Sequence, residues 1–191
     1  MARPRGYVRE EVLDKAMAVF WRLGYEGAHL GELVEQTGLN RFSLYKEFGG
    51  KAGLFEATLE RFIGMLLAQY RETLTRQPLG LENIEANLRS LQYGSAYYGC
   101  FMLNTLTQKD TVPEPAFQRA VEAAAEMEAL YQANLVSAAA RGQVDGKANL
   151  SGLGKLLQTL DQGLHIQGLA GTSDAQKDRV IAATMSLLRA G

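Results

Sequence analysis

A chain of 191 residues, 47% hydrophobic and 8% aromatic, is too apolar to be disordered and long enough for one good core, or for a small domain and a larger one. Its 20 Lys and Arg against 21 Asp and Glu leave a net charge of −1, which excludes a broadly basic nucleic-acid-coating protein, so any DNA site has to be local. One cysteine excludes an internal disulfide, no apolar run approaches the roughly 18 residues of a membrane span, and the first residues lack the apolar stretch of a signal peptide, so a cytoplasmic chain with no membrane partner is expected.

Four prolines and the absence of alternating Val/Ile/Thr runs predict an all-α fold. Residues 1–51 hold eight Lys and Arg against seven Asp and Glu, yet Arg3, Arg5 and Arg9 all precede the first acidic side chain. An Arg-Pro-Arg arm of this kind suits a minor groove; an arm without a role is the equal alternative. The first helix is expected from about residue 9 to Gly24, with Val12, Ala16, Val19, Phe20 and Leu23 on one face. A second is expected from about His29 to Thr37, with Leu30, Leu33 and Val34 inward. Gly38 can then take the left-handed conformation that closes it, and Asn40 can cap a third helix starting at about Arg41. Leu44 and Phe48 lie four apart and face a core, so Arg41, Phe42, Ser43, Tyr45 and Lys46 point outward. Cations, hydroxyls and aromatics on one short helix after a glycine turn suit phosphates and base edges, as in a helix-turn-helix head.

A long helix from about Lys51 to Arg76 follows, carrying Leu54, Phe55, Thr58, Phe62, Leu66, Tyr70 and Leu74. Pro78-Leu79-Gly80 breaks it, and Ile84, Leu88 and Leu91 mark the next. Residues 97–104 form a compact apolar and aromatic patch, which has to be buried or line something. Another long helix is expected from about Ala116 to Arg141. Two leucine-striped helices end the chain, one with Leu153, Leu156, Leu157, Leu160 and Leu164, the other with Val180, Ile181, Thr184, Leu187 and Leu188.

From about Val12 to Phe62 the chain resembles the TetR family of bacterial transcription regulators. The likeness is carried by Ala16, Phe20, Gly24, Tyr25, Leu33, Gly38, Leu39, Ser43, Leu44, Tyr45, Phe48, Lys51, Leu54 and Phe55. It implies that Tyr45 and Lys51 hold phosphates and that Arg41, Phe42 and Ser43 reach bases. Ala28-His29 stand where the family usually has a threonine, so His29 is the substitute donor. Glu47 is expected to turn away from DNA or to accept from a cytosine amino group. The resemblance further implies a homodimer packed through Leu153, Leu156, Leu157, Leu160, Leu164, Ile181, Thr184 and Leu188. It implies a head over residues 1–50 and a dimerisation and effector-binding domain over 51–191.

A pocket for a small apolar effector is expected there, with Tyr70, Tyr97, Phe101, Asn104, Phe117, Tyr131 and His165 as liners by residue type and position. Cys100 beside Phe101 and Met102 reads as a small core hydrophobe, or alternatively as a redox or electrophile sensor, since residues 99–104 resemble a segment of TetR subgroups that contain such sensors. Asp161 and His165 are one helical turn apart, but the only other histidine is His29 in the head, so no metal site is expected. Nothing has the spacing of a phosphate loop or nucleophile elbow, so neither a cofactor nor an enzymatic activity is expected. The expected function is that of a ligand-responsive repressor, a homodimer on a pseudo-palindromic operator in double-stranded DNA; a DNA-binding factor without small effector and a cysteine-based sensor are the alternatives.

Overall fold

The computed structural model describes residues 7–94 and 97–190. The described residues form helices and no strand: α1 Arg9–Gly27, α2 Leu30–Thr37, α3 Arg41–Phe48, α4 Lys51–Leu74, α5 Leu81–Ser90, α6 Phe101–Thr107, α7 Glu114–Ala140, α8 Leu150–Leu169 and α9 Asp174–Ala190. They divide into two compact units, Met1–Met65 with Cys100–Val121 and Leu66–Gly99 with Glu122–Gly191. The first 15 residues of α4, Lys51 to Met65, thus pack with the head, where a boundary was expected after residue 50. The reason is apolar: α4 carries Leu54, Phe55, Leu59 and Ile63, all essentially inaccessible to water, and their burial belongs to the head.

In the head unit, α1 buries Val12, Leu13, Ala16, Met17, Val19 and Phe20 along one face. Gly24 takes φ 72° and kinks α1, which continues one further turn to Gly27 instead of stopping. Gly38 takes φ 73° and closes α2, its N–H reaching Val34 O at 3.0 Å. Asn40 Oδ1 then accepts from Ser43 N at 2.8 Å and starts α3. The patch at residues 97–104 contains a helix that its composition did not announce. Phe101 at the start of α6 meets Trp21, Phe55 and Phe62 with ring centroids 6.2, 5.5 and 5.7 Å away. Phe101, expected as an effector liner, is thus a core residue of the head unit.

In the second unit the buried Asn134 of α7 holds a helix end and a turn together. Its Nδ2 donates to Leu74 O at 2.8 Å, at the last residue of α4, and its Oδ1 accepts from Gly80 N at 3.0 Å and Asn83 Nδ2 at 3.1 Å. Helices α5 and α9 pair through Arg89 with Asp178 at 2.9 Å and Glu85 with Arg189 at 3.0 Å. Of the leucine stripes assigned to a partner, Leu157, Leu164, Ile181 and Leu188 are buried in the chain's own core. A stripe shows which face is apolar but not whose core it enters. Leu153, Leu160 and Thr184 are half-buried, and the outward apolar side chains are Leu156, Ile166, Leu169, Val180 and Leu187.

Asn40→Ala removes the α3 cap and is expected to lower the unfolding free energy by about 1 kcal/mol, with Asn40→Asp keeping most of it. Urea denaturation reads this; an unchanged midpoint for the alanine variant would show that the cap contributes nothing.

Candidate functional site

The third helix is held by little and shows much. Leu44 is its buried anchor, while Phe42 is 76% and Tyr45 56% exposed. Arg41 and Lys46 are exposed beside them and Ser43 is half-buried. Two large aromatics left in water next to two cations are costly to keep for stability alone, and they form a surface that can stack, press on methyl groups and meet phosphates. The Tyr45 ring lies along the backbone of Gly50, where a Cβ would stand 3.2 Å from Cε1. Glu47 has turned away from this face: its carboxylate pairs with Arg9 Nε at 3.7 Å, and the Arg9 guanidinium also sits over the Phe48 ring. His29 is exposed at the residue before α2 and makes no side-chain cap hydrogen bond there. Arg3 and Arg5 lie outside the described residues.

Lys51 opens α4 and is placed by the kinked end of α1. Its Nζ lies 4.5 Å from the Tyr25 ring centroid and donates to Glu26 O at 3.3 Å. Burial lowers the pKa of this ammonium and the nearby Glu26 carboxylate opposes the fall. Tyr25 N in turn donates to Gln108 Oε1 at 3.1 Å. Sequence reading missed Gln108 altogether, since the contact joins residues 83 apart and a glutamine after a short apolar helix carries no signal of its own.

Four of the expected effector liners meet in the second unit. Tyr70 Oη donates to Asp161 Oδ2 at 2.6 Å, Asn87 Nδ2 donates to Tyr131 Oη at 2.9 Å, and the Tyr97 hydroxyl meets His165 Nδ1. The Tyr97 and His165 rings are stacked 3° from parallel. Asp161 and Asn87 are each 3% exposed, and Asn87 Oδ1 is buried without a hydrogen-bond partner. This cluster is polar where an apolar pocket was expected. Asn104 and Phe117 belong to the head unit, as Phe101 does; Asn104 O accepts from Gln108 Nε2 at 3.0 Å and the Lys109 ammonium lies 5.6 Å from the Phe117 ring centroid. Cys100 precedes α6 and is 3% exposed, which suits a small core hydrophobe. Among the described residues no group of three metal-ligating side chains converges, and no helix is long and apolar enough to cross a membrane.

Three short helices, a left-handed glycine between the last two and an outward-facing third helix define a helix-turn-helix protein. The model of bacterial regulatory proteins of the tetR family matches residues 12–58. The HTH-type transcriptional repressor ComR of Escherichia coli K12 is 30% identical over 190 residues, covering 97% of this chain and 90% of that protein. BdcR, another HTH-type transcriptional repressor of that organism, is 28% identical over 112 residues, covering 56% of this chain and 57% of its own. Among solved structures, a cysteine mutant of the TetR family regulator CifR in complex with operator DNA superposes with TM-score 0.83 at 27% identity, over 96% of this chain and 98% of that one. The reduced form of Escherichia coli NemR shares the fold at TM-score 0.80 and 19% identity, over 92% and 94% of the two chains. The chain belongs to the TetR family of bacterial transcription regulators.

Burial raises the Asp161 carboxyl above the usual carboxylate range, against the opposing pull of His165, Tyr70 and Tyr131; burial lowers His165, against Asp161. Folded Asp161 therefore holds its proton more tightly than the unfolded chain does, and its ionisation costs stability as pH rises past its ordinary pKa of about 4. His165 acts in the other direction, contributing stability that is lost as pH falls below about 6.5. Asp161→Asn removes the first effect, so its melting temperature relative to the parent is expected to climb from pH 4 to pH 8. A difference that stays flat across that range would contradict a buried, proton-retaining Asp161.

Proposed function

We propose that the chain is a ligand-responsive transcriptional repressor that binds a pseudo-palindromic operator as a homodimer. The observation that carries the reading is the outward face of α3, where Phe42 and Tyr45 are exposed between Arg41 and Lys46 while Leu44 alone anchors the helix. Tyr45 and Lys51 hold phosphates, and Arg41, Phe42 and Ser43 reach base edges in the major groove, with Lys46 beside them. Similarity to ComR, described as a repressor, supports the direction of regulation, and the operator-bound CifR structure supports a DNA target. Two heads joined by a two-fold axis would read half-sites about 34–36 Å apart.

The partner surface is the row of apolar side chains that α8 and α9 leave in water, Leu156 and Ile166 on one and Val180 and Leu187 on the other. Leu188, buried in the chain's own core, is not part of it. The effector is held in the second unit near Asp161, where Tyr70, Tyr131 and His165 gather; the unpartnered Asn87 Oδ1 favours a molecule that offers an N–H or O–H donor over a purely apolar one. An effector there shifts the dimer away from the head spacing that adjacent major grooves require. A cysteine sensor fits less well, because a thiol this buried reacts only when the fold opens.

Tyr45→Ala is expected to weaken binding to operator and random DNA alike, whereas Arg41→Ala costs about 1–3 kcal/mol at particular base pairs. Selection of binding sites from a random library checks both, and identical site preferences for wild type and Arg41→Ala would remove the base-reading role. Leu156→Glu with Leu187→Glu is expected to give folded monomers by sedimentation, with operator affinity reduced at least tenfold. An unchanged dimer would rule out this interface.

A further inference from the structure

The head unit contains a long-range contact that neither packing nor capping requires. Gly24 turns the chain with φ 72° and ψ 176°, so the N–H of Tyr25 leaves the direction of the α1 ladder. Gln108, the C-cap residue just after α6, reaches across and accepts that N–H at 3.1 Å, while its Nε2 donates to Asn104 O of the helix it caps at 3.0 Å. Only glycine permits this approach: a Cβ at residue 24 would stand 2.8 Å from Gln108 Oε1. The turn so held, residues 25–27, carries both contacts that fix the Lys51 ammonium, the Tyr25 ring face at 4.5 Å and Glu26 O at 3.3 Å. Its outer side is not backed by packing. A cleft of about 370 Å³, open to solvent, runs along it between Leu23, Glu26 and Gly27 on one wall and Thr107 and Gln108 on the other. The Tyr25 ring packs on Phe20 and Phe55 on the inner side, and the hydrogen bond that Tyr25 N–H donates to Gln108 is what ties the turn to α6 beside the cleft.

We propose that Gln108 is a positioning residue for DNA binding, holding the Tyr25–Gly27 turn and through it the Lys51 ammonium where that ammonium meets a phosphate. The inference rests on the reading of Lys51 as a phosphate contact. It makes the C-cap residue of α6 a control point for the head, because a shift of that residue by the length of one hydrogen bond loosens the platform under Lys51. Gln108 does not itself touch DNA in this arrangement; it acts through Lys51.

The test is a double-mutant cycle on a fluorescent random-sequence duplex of about 30 base pairs, on which phosphate contacts act whatever the sequence. Lys51→Ala is expected to weaken binding and to reduce the dependence of log affinity on log salt by about one. Gln108→Met, of equal length but without the acceptor, is expected to weaken binding about threefold to tenfold, the range of one net hydrogen bond. In the Lys51→Ala background the same substitution is expected to change nothing, and Gln108→Glu, which keeps an acceptor for Tyr25 N, is expected to bind DNA within about twofold of wild type. If Gln108→Met melts below the assay temperature, Gln108→Asn, one methylene too short to reach Tyr25, takes its place in the cycle. Equal losses from the Gln108 substitution in both backgrounds, with Lys51→Ala active in the assay, would overturn the positioning role. A Lys51→Ala protein that binds like wild type would instead remove the phosphate reading, and the relay with it.

Discussion

The head depends on one ring. Phe55 is 1% exposed and meets Phe20, Tyr25 and Phe101 edge-on, with centroids 5.0, 5.0 and 5.5 Å away and planes near perpendicular. Each such pair contributes about 0.5–1.5 kcal/mol beyond the apolar area it buries, and the three partners come from the middle of α1, its kinked end and α6. The recognition helix α3 has eight residues and a single buried side chain, too little for a helix to persist alone in water. It is stable because α1, α2 and the start of α4 are fastened first, and Phe55 is where α1, α4 and α6 are fastened to one another.

The second unit handles polarity in two contrasting ways. Asn134 is wholly buried and uses both ends of its amide, which makes it a structural bracket with no capacity left for anything else. Asn87 is 3% exposed, yet its Oδ1 has no partner, and the same unit buries Asp161 one turn before a histidine whose protonation burial opposes. Unsatisfied buried acceptors cost about 1–3 kcal/mol, and a chain that satisfies Asn134 completely has no folding reason to leave Asn87 open. The Asp161 cluster is therefore the part of this unit in which structure and stability are at odds, and such places are where function is to be sought.

What was legible in the sequence was local. The glycine at residue 38, the asparagine at residue 40 and the four-residue spacing of Leu44 and Phe48 each act within one turn, and together they located the turn and the start of the third helix. Distant pairings were not legible. Phe101 looked like a pocket liner because an aromatic in a loop-like stretch does not reveal that Trp21, Phe55 and Phe62 await it. The leucine stripes were visible, but Leu157, Leu164, Ile181 and Leu188 lie on the inner side and Leu156 and Leu187 on the outer, a division set by how α8 and α9 rotate against the rest of their own unit. Gln108 had no signature because its role exists only once α6 lies against the kink at Gly24.

A near-neutral head raises the question of how it can present a cationic face, and the ion pairs answer it. Asp14 accepts from Arg61 Nε at 2.7 Å and Nη2 at 2.8 Å, Glu32 pairs with Arg22 at 2.6 Å and Glu47 with Arg9 at 3.7 Å. As stabilising contacts these exposed pairs contribute little, roughly 0–1 kcal/mol each. Their effect on the field is larger, because each sets a cation beside an acidic side chain and so offsets its charge. Arg9 is the telling case: one guanidinium covers the Phe48 ring and neutralises Glu47, the acid closest in sequence to Tyr45 and Lys46. Arg41 and Lys46 then dominate the face proposed for DNA although the composition of the head shows almost no excess of positive charge, so the arrangement of the acids, and not the number of bases, determines what a phosphate backbone would meet.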